Sequence, residues 1–174
     1  MKKLLIVVDY QNDFVDGSLG FEKAKELSPK IENKILEYLQ SSYDIIFTLD
    51  THKEDYLSTL EGQKLPIKHC IDGSYGHEVY PSIKKYVAKA VKVFKKETFP
   101  SLDLANYLKD HPYDEVELCG LVSNICVLTN AIMVRSALPN AHIIVNENLT
   151  SSSDLKLQEE GFDVLKGIFI DVIK

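Results

Sequence analysis

The stretch LLIVVDYQNDF, residues 4–14, decides the fold. Its five aliphatic residues, Leu4 to Val8, form a run that no polar residue interrupts, and the run stops at Asp9, where a polar segment begins. A short aliphatic run of this kind is typical of a strand buried on both faces of a parallel sheet. In open α/β sheets, ligands bind beyond the carboxyl ends of such strands. The stretch therefore predicts an α/β fold and identifies Asp9 as a candidate functional residue.

Strand-like and helix-like patterns alternate along the rest of the chain. The runs that predict strands cover residues 3–9, 44–49, 91–96, 115–120, 142–147 and 168–173. The first long helical pattern covers residues 28–40, with Ser28 as its N-cap and Pro29 in its first turn. Six strands connected through helices predict a three-layer α/β/α, Rossmann-like architecture with a mostly parallel six-stranded sheet, formed by a single domain over residues 1–174. Residues 51–80 have no clear periodicity, which predicts a functional loop.

Composition excludes several classes of partner. A net charge of −6 and a pI near 5.4 argue against nucleic acid, since proteins that bind it usually carry a basic patch. The apolar run in MKKLLIVVD is shorter than the roughly 7 to 15 residues of a signal-peptide core, and no run is long enough to span a membrane. Cys70, Cys119 and Cys126 lack the pattern of a disulfide framework. We therefore expect a cytoplasmic protein that binds neither nucleic acid nor a membrane; homo-oligomerisation stays open.

Chemically active side chains lie at or just beyond the ends of four of the predicted strands. In chain order they are Asp9, Asp50, His52, Lys95, Lys96 and Cys126. Because the carboxyl ends of parallel strands meet at one edge of a sheet, we expect these groups to gather there. This edge is therefore the predicted functional site.

The predicted edge combines a thiol, a carboxylate and an ammonium. Cys126 is the candidate nucleophile, since a helix start and a nearby cation such as Lys96 can lower the pKa of a thiol. Asp9 can accept the thiol proton and return it to a leaving amine, and backbone N–H groups of the GLVSNIC turn can bind an oxyanion. Each residue also has an alternative, purely structural interpretation: Cys126 as a small buried hydrophobic residue, Asp9 as a turn cap and Lys96 as a solvated charge.

Five motifs in this order add a resemblance to a known family. They are DYQNDF (9–14), TLDTH (48–52), HC (69–70), KKETFPS (95–101) and GLVSNICV (120–127). Together they resemble the motifs of the isochorismatase-like cysteine hydrolases, especially the nicotinamidase branch. The resemblance implies a parallel six-stranded α/β/α fold and amide hydrolysis by an Asp-Lys-Cys triad.

The resemblance also assigns roles to individual residues. It implies that the triad is Asp9, Lys96 and Cys126, with Lys96 preferred over Lys95 because Phe99 then completes the K-x-x-[FY] pattern. It further implies a cis peptide bond at Leu121–Val122 and an oxyanion hole formed by the backbone amides of Val122 and Cys126.

Nicotinamidases hold a divalent metal beside the triad, and the resemblance implies a similar site here. Asp50, His52 and His69 match three of the usual ligands. The middle histidine of the usual set is missing, and the HKEDYLSTLEGQ segment offers Tyr56 and Glu61 instead. We expect one divalent ion, zinc or similar, held by Asp50, His52, His69 and Glu61, and no organic cofactor. The alternative, in which Glu61 is a solvated loop charge and no metal binds, also remains.

The substrate is predicted less sharply than the triad. Phe14 and Leu19 match walls of the nicotinamidase pocket, whereas the absence of tryptophan and the presence of Ile125 before the cysteine depart from it. The best match is a small planar carboxamide, namely nicotinamide, hydrolysed to nicotinate and ammonia through a thioester on Cys126. The alternatives are a hydrolase of another small amide, carbamoyl compound or ureide, and a catalytically silent protein that binds small molecules. A phosphoacceptor module is excluded, because its aspartate would follow strand three, where this chain has Lys96.

Overall fold

A six-stranded sheet lies at the centre of the computed structural model, which describes residues 1–174. The strands are β1 (Lys3–Val8), β2 (Asp44–Asp50), β3 (Lys92–Lys96), β4 (Glu115–Leu121), β5 (His142–Ser151) and β6 (Asp171–Ile173). Their order is β3-β2-β1-β4-β5-β6, and every neighbouring pair is parallel. The predicted three-layer α/β/α fold with a mostly parallel six-stranded sheet is confirmed, and the sheet is parallel throughout.

Eight helices connect and cover the strands. They are α1 (Asn12–Val15), α2 (Glu22–Glu26), α3 (Ser28–Gln40), α4 (Leu60–Lys64), α5 (Pro81–Lys84), α6 (Leu102–Asp110), α7 (Leu128–Ala137) and α8 (Leu155–Gly167). The longest, α3 and α8, have 13 residues each, and no helix has the length and apolar character needed to cross a bilayer. All three cysteines are buried free thiols.

The aliphatic run of β1 is buried on both faces, which explains why its residues do not alternate with polar ones. Leu4, Ile6 and Val8 pack into the core on one side of the sheet, and Leu5 and Val7 pack into the core on the other side. All five side chains are fully buried. Because side chains alternate across a strand, a central parallel strand must be apolar at every position.

The helix α3 begins as predicted, but Ser28 is not its N-cap. Leu27 precedes the first helical residue, and Pro29 occupies the first turn, where its missing N–H costs nothing. The Ser28 hydroxyl instead lies 2.6 Å from the hydroxyl of Ser82 in α5. A tertiary hydrogen bond thus takes the place of the predicted local one.

The segment 51–80 contains only short helical elements, a 3₁₀ turn at Tyr56–Ser58 and α4. An isolated bridge between Gln11 and Val79 and a hydrogen bond from the N–H of Thr51 to the carbonyl oxygen of Lys96 hold it beside the ends of β1 and β3, and a second bridge, between His52 and Ile71, lies within the segment. The segment therefore covers the carboxyl end of the sheet.

The strands β1 and β4 are neighbours at the centre of the sheet, where the strand order changes direction. Gly120 permits their close approach: its φ is +107°, and a Cβ at this position would lie 2.0 Å from the carbonyl oxygen of Val8. Only glycine combines this backbone angle with this contact. Gly120 therefore fixes the distance between the ends of β1 and β4.

We expect Gly120→Ala to lower the free energy of unfolding by about 3 kcal/mol, from backbone strain and from the clash with Val8. Chemical denaturation measures the change. Gly167→Ala is the matched control, because a Cβ there would meet no atom within 4 Å, and we expect its effect to stay within about 0.5 kcal/mol. Equal denaturation midpoints for the two variants would contradict the role given to Gly120.

Candidate active site

Asp9 lies directly beyond β1, and its carboxylate is fully buried. Its φ of +46° turns the chain sharply away from the strand, a conformation that aspartate tolerates better than most residues. The hydroxyl of Thr48 donates a hydrogen bond to Oδ1 at 2.7 Å, and Oδ2 lies 2.6 Å from the Nζ of Lys96. Burial raises the pKa of the Asp9 carboxyl, and the Lys96 ammonium opposes this shift. A raised pKa makes the carboxylate a stronger base.

Lys96 is the last residue of β3, and its ammonium connects the other polar groups of the site. Besides Asp9, Nζ lies 3.3 Å from Oδ1 of Asp50, 3.1 Å from the carbonyl oxygen of Thr98 and 3.7 Å from the Sγ of Cys126. Burial disfavours the charged form, but the negative charges of Asp9 and Asp50 outweigh it and raise the pKa of Lys96. The side chain is therefore a buried, permanently charged ammonium.

Lys95 points to the opposite side of the same strand. Its Nζ lies 2.7 Å from the carboxylate of Asp72 at the surface, and its side chain is half exposed. Because neighbouring side chains of a strand point to opposite faces, only one of the two lysines can reach Asp9. The geometry selects Lys96.

Cys126 lies in a π-helical turn, Ser123–Val127, between β4 and α7. Burial raises the pKa of its thiol well above the usual value; Lys96 opposes this shift, and Asp9 and Asp50 add to it. The sequence-based expectation of a lowered pKa is therefore wrong, because desolvation and two carboxylates outweigh one cation. A thiol with a raised pKa keeps its proton at neutral pH, so it is nucleophilic only when a base removes this proton.

The backbone before Cys126 has an unusual path. The Leu121–Val122 peptide bond is cis, as the resemblance implied. The carbonyl oxygen of Val122 accepts hydrogen bonds from the N–H groups of Ile125 and Val127, whereas the N–H of Val122 donates to no backbone carbonyl. The N–H of Val122 thus remains available to a ligand beside the thiol.

Asp50, His52 and His69 form a buried group compatible with metal binding. The Oδ2 of Asp50 lies 2.9 Å from the Nε2 of His52 and 3.4 Å from the Nε2 of His69. The Oε1 of Glu61 lies 3.6 Å from both of these nitrogens. Two imidazoles and two carboxylates therefore converge on one point, and this donor set fits zinc and similar divalent ions.

Hydrogen bonds hold the members of this group in place. The Nδ1 of His69 lies 2.8 Å from the carbonyl oxygen of Ile67, which leaves Nε2 directed toward Asp50. Gln11 donates a hydrogen bond to the carbonyl oxygen of Asp50 and accepts one from its N–H. Burial raises the pKa of Asp50, but its hydrogen bonds to His52 and His69 and the charge of Lys96 lower it far more.

Tyr56, which stands in the segment that lacks the third histidine, packs against the group rather than joining it. Its ring centre lies 4.7 Å from that of His52 and 5.0 Å from that of His69. Its hydroxyl donates to the carbonyl oxygen of Leu65 at 3.0 Å. Tyr56 therefore forms an aromatic wall behind the two imidazoles.

A cavity of about 180 Å³, here called the inner cavity, joins the thiol to the candidate metal group. Its walls are Phe14, Leu19, Phe21, Asp50, Glu61, Leu65, His69, Phe99, Val122, Ile125, Cys126 and Ser153. The structure thus brings Phe14 and Leu19, the two predicted wall residues, to the cavity that holds Cys126. Sequence reasoning did not identify Phe21, Leu65 or Ser153, since they lie in segments without a recognisable motif.

Comparison with known proteins shows to which family the chain belongs. The Isochorismatase domain family model matches residues 3–174. A nicotinamidase of Saccharomyces cerevisiae is 26% identical, with 98% of this chain and 99% of that protein covered. The crystal structure of a nicotinamidase/pyrazinamidase from Bacillus subtilis is 27% identical and superposes with a TM-score of 0.86 over 100% of both chains.

A third similar protein was solved with a bound metal. The pyrazinamidase of Pyrococcus horikoshii, solved in complex with zinc, is 22% identical and has a TM-score of 0.83, with 100% of this chain and 99% of that chain covered. At this identity the likeness concerns the fold. The match to the family model over nearly the whole chain shows that the protein belongs to the isochorismatase family, as a nicotinamidase-like hydrolase.

Proposed function

We propose that this protein hydrolyses a small planar primary carboxamide, nicotinamide, to nicotinate and ammonia through a thioester on Cys126. The observation that carries the proposal is the buried contact of Lys96 with both Asp9 and Cys126, at 2.6 and 3.7 Å, beside a cavity lined by the thiol. Nicotinamidases with 26–27% identity over nearly the whole chain support the same substrate.

In the first step, Asp9 takes the proton from the thiol of Cys126 as the sulfur attacks the amide carbon. The Oδ2 of Asp9 contacts the ammonium of Lys96 but has no other polar partner. It can therefore receive this proton. Lys96 keeps its charge throughout and stabilises the negative charge as this moves from oxygen to sulfur. The raised pKa of the Asp9 carboxyl favours the transfer.

The tetrahedral intermediate carries its negative charge on the former carbonyl oxygen. The N–H groups of Val122 and Cys126 are the proposed donors to this oxygen, and removal of one such donor in other enzymes costs about 3–4 kcal/mol of transition-state stabilisation. Asp9 then returns its proton to the amide nitrogen, the C–N bond breaks, and ammonia leaves.

The second step hydrolyses the thioester. Asp9, again ionised, takes a proton from a water molecule, whose oxygen attacks the thioester carbon. The C–S bond breaks, the sulfur of Cys126 recovers a proton from Asp9, and the carboxylic acid product leaves the inner cavity. One carboxylate thus serves as base and acid in both halves of the reaction.

Asp50, His52, His69 and Glu61 are the proposed ligands of one divalent ion, zinc or a similar metal. Such an ion supplies a Lewis acid that binds and orients a ring nitrogen of the substrate. Asp50, Glu61 and His69 line the same inner cavity as Cys126, which supports a substrate held between these two sites. Phe14 and Leu19 are the proposed apolar walls that enclose the ring.

Ammonia release from a panel of amides tests the substrate. We expect nicotinamide and pyrazinamide to give the highest kcat/KM, because each is planar and carries a ring nitrogen at the position that the ligand group can reach. Aliphatic amides, carbamoyl compounds and ureides lack one of these features. A higher kcat/KM for a ureide or carbamoyl compound would identify that compound as the substrate in place of nicotinamide and would leave the proposed triad unchanged. Binding of these compounds without ammonia release would identify a catalytically silent binding protein.

Metal content tests the ligand set. We expect about one transition-metal ion per chain in the purified protein and its loss in His52→Ala, because the variant removes one of two imidazole donors. Elemental analysis after dialysis measures both. His111→Ala, an exposed histidine near the end of α6, is the control and should keep its metal. Ammonia release by protein that contains no bound metal would contradict a role for the ion in the reaction.

A further inference from the structure

A second cavity, here called the outer groove, opens directly beside the inner cavity. It measures about 680 Å³ and is therefore much larger than the space around the thiol. Four residues, Glu61, Leu65, Phe99 and Ile125, line both spaces. The two cavities thus adjoin at these four side chains, here called the mouth of the inner cavity.

The outer groove has apolar walls and a polar rim. The side chains of Leu60, Phe99 and Ile125 are 74%, 41% and 37% exposed, although each is apolar. The groove is also lined by three carboxylates (Asp55, Glu61 and Glu97) and two ammonium groups (Lys53 and Lys64), and Lys53 lies 3.6 Å from the carboxylate of Glu97, so these charges largely cancel. The groove therefore favours an apolar group and offers no strong field for an anion or a cation.

The buried residues Asp9 and Lys96 close one side of the site, and they determine which part of a substrate can enter the outer groove. The leaving nitrogen must lie against Asp9 to receive its proton, and Asp9 and Lys96 are 0% and 5% exposed. Neither residue lines the inner cavity or the outer groove. Substituents on the amide nitrogen would thus meet buried polar groups, whereas the ring side of the substrate faces the mouth.

We propose that the outer groove is a second substrate subsite, and that the protein accepts primary heteroaromatic carboxamides with an apolar substituent on the ring edge away from the carboxamide. This inference rests on the proposed function and specifies its substrate class. The ring occupies the inner cavity, and its substituent passes between Phe99 and Ile125 to lie against Leu60.

Steady-state kinetics with substituted nicotinamides test the subsite. The series carries methyl, ethyl or propyl at ring carbon five or six, and N-methylnicotinamide represents substitution on the amide nitrogen. One of the two ring positions directs its alkyl group into the outer groove. In that series we expect kcat/KM to rise by about fourfold for each methylene group that the groove buries, through a lower KM with kcat unchanged. N-methylnicotinamide should not be hydrolysed.

A variant with a matched control assigns the effect to the groove. Leu60 and Leu102 are both exposed leucines at the first position of a helix, but only Leu60 lines the groove. Leu60→Asp should lower the ratio of kcat/KM for the propyl compound to that for nicotinamide by at least about fourfold, because it removes apolar contact. Leu102→Asp should leave this ratio unchanged.

The outcomes separate this inference from the proposed function. Nicotinamide hydrolysis together with a fall in kcat/KM along both alkyl series, or with an unchanged ratio in Leu60→Asp, would overturn the subsite alone. Hydrolysis of none of these amides would overturn the proposed function and the subsite together.

Discussion

Replacement of Cys126 by alanine is expected to abolish ammonia release from nicotinamide while the protein stays folded. The thiol lines the inner cavity together with Asp50, Glu61 and His69 of the candidate metal group, and it is the proposed nucleophile. We expect a loss on the order of 10⁴-fold or more in kcat, as for other enzymes that lose a covalent nucleophile. Removal of one sulfur atom from the core should cost only about 1 kcal/mol of stability.

The control for this variant is Cys119→Ala. Cys119 is also fully buried, but it lies within β4, and its side chain packs in the core on the other face of the sheet. This variant should keep its kcat, and circular dichroism should show both variants folded. Ammonia release by folded Cys126→Ala at the wild-type rate would contradict the assignment.

Replacement of Asp9 by asparagine should have the second-largest effect, a loss of roughly 10²–10⁴-fold in kcat. The amide is nearly isosteric and can still accept the hydrogen bond from Thr48, but it cannot take the thiol proton. Because burial raises the pKa of the Cys126 thiol, the sulfur does not ionise without this base. The kcat for nicotinamide, measured by ammonia release, gives the size of the effect.

Asp13→Asn is the matched control for the base. The carboxylate of Asp13 accepts hydrogen bonds from the backbone N–H groups of Cys70 at 2.7 Å and Ser18 at 3.3 Å, so it has a structural role that connects α1 to the segment 51–80. We expect this variant to lower the free energy of unfolding, while its kcat stays within about tenfold of the wild-type value. Similar losses of kcat in Asp9→Asn and Asp13→Asn would argue against a specific base.

Much of the fold could be predicted because strand burial is visible in the sequence. The aliphatic run from Leu4 to Val8 predicts a strand buried on both faces, and its two sets of alternate residues pack into two separate cores. Element boundaries were less predictable. The π-helical turn at Ser123–Val127 was not predicted, since residue pattern alone does not distinguish one extra backbone residue in a turn.

The site could be predicted where its residues follow strands and not where they come from loops. Asp9 and Lys96 lie at strand ends and Cys126 lies in the turn that follows β4, so the topology of the sheet brings them to the same edge. Phe21 and Leu65 reach the inner cavity from irregular segments whose path depends on tertiary contacts. The direction of the Cys126 pKa shift was also beyond the sequence, because it depends on burial and on the placement of two carboxylates.

The most direct test of the central claim is carbon NMR of nicotinaldehyde, ¹³C-labelled at the aldehyde carbon, bound to the protein. Attack by the activated sulfur of Cys126 converts this carbon to a tetrahedral thiohemiacetal, with a large upfield shift, and the aldehyde lacks a leaving group, so the adduct persists. We expect the tetrahedral signal in the wild type and in Cys119→Ala, and its absence in Cys126→Ala. The same signal at equal intensity in Cys126→Ala would contradict the account.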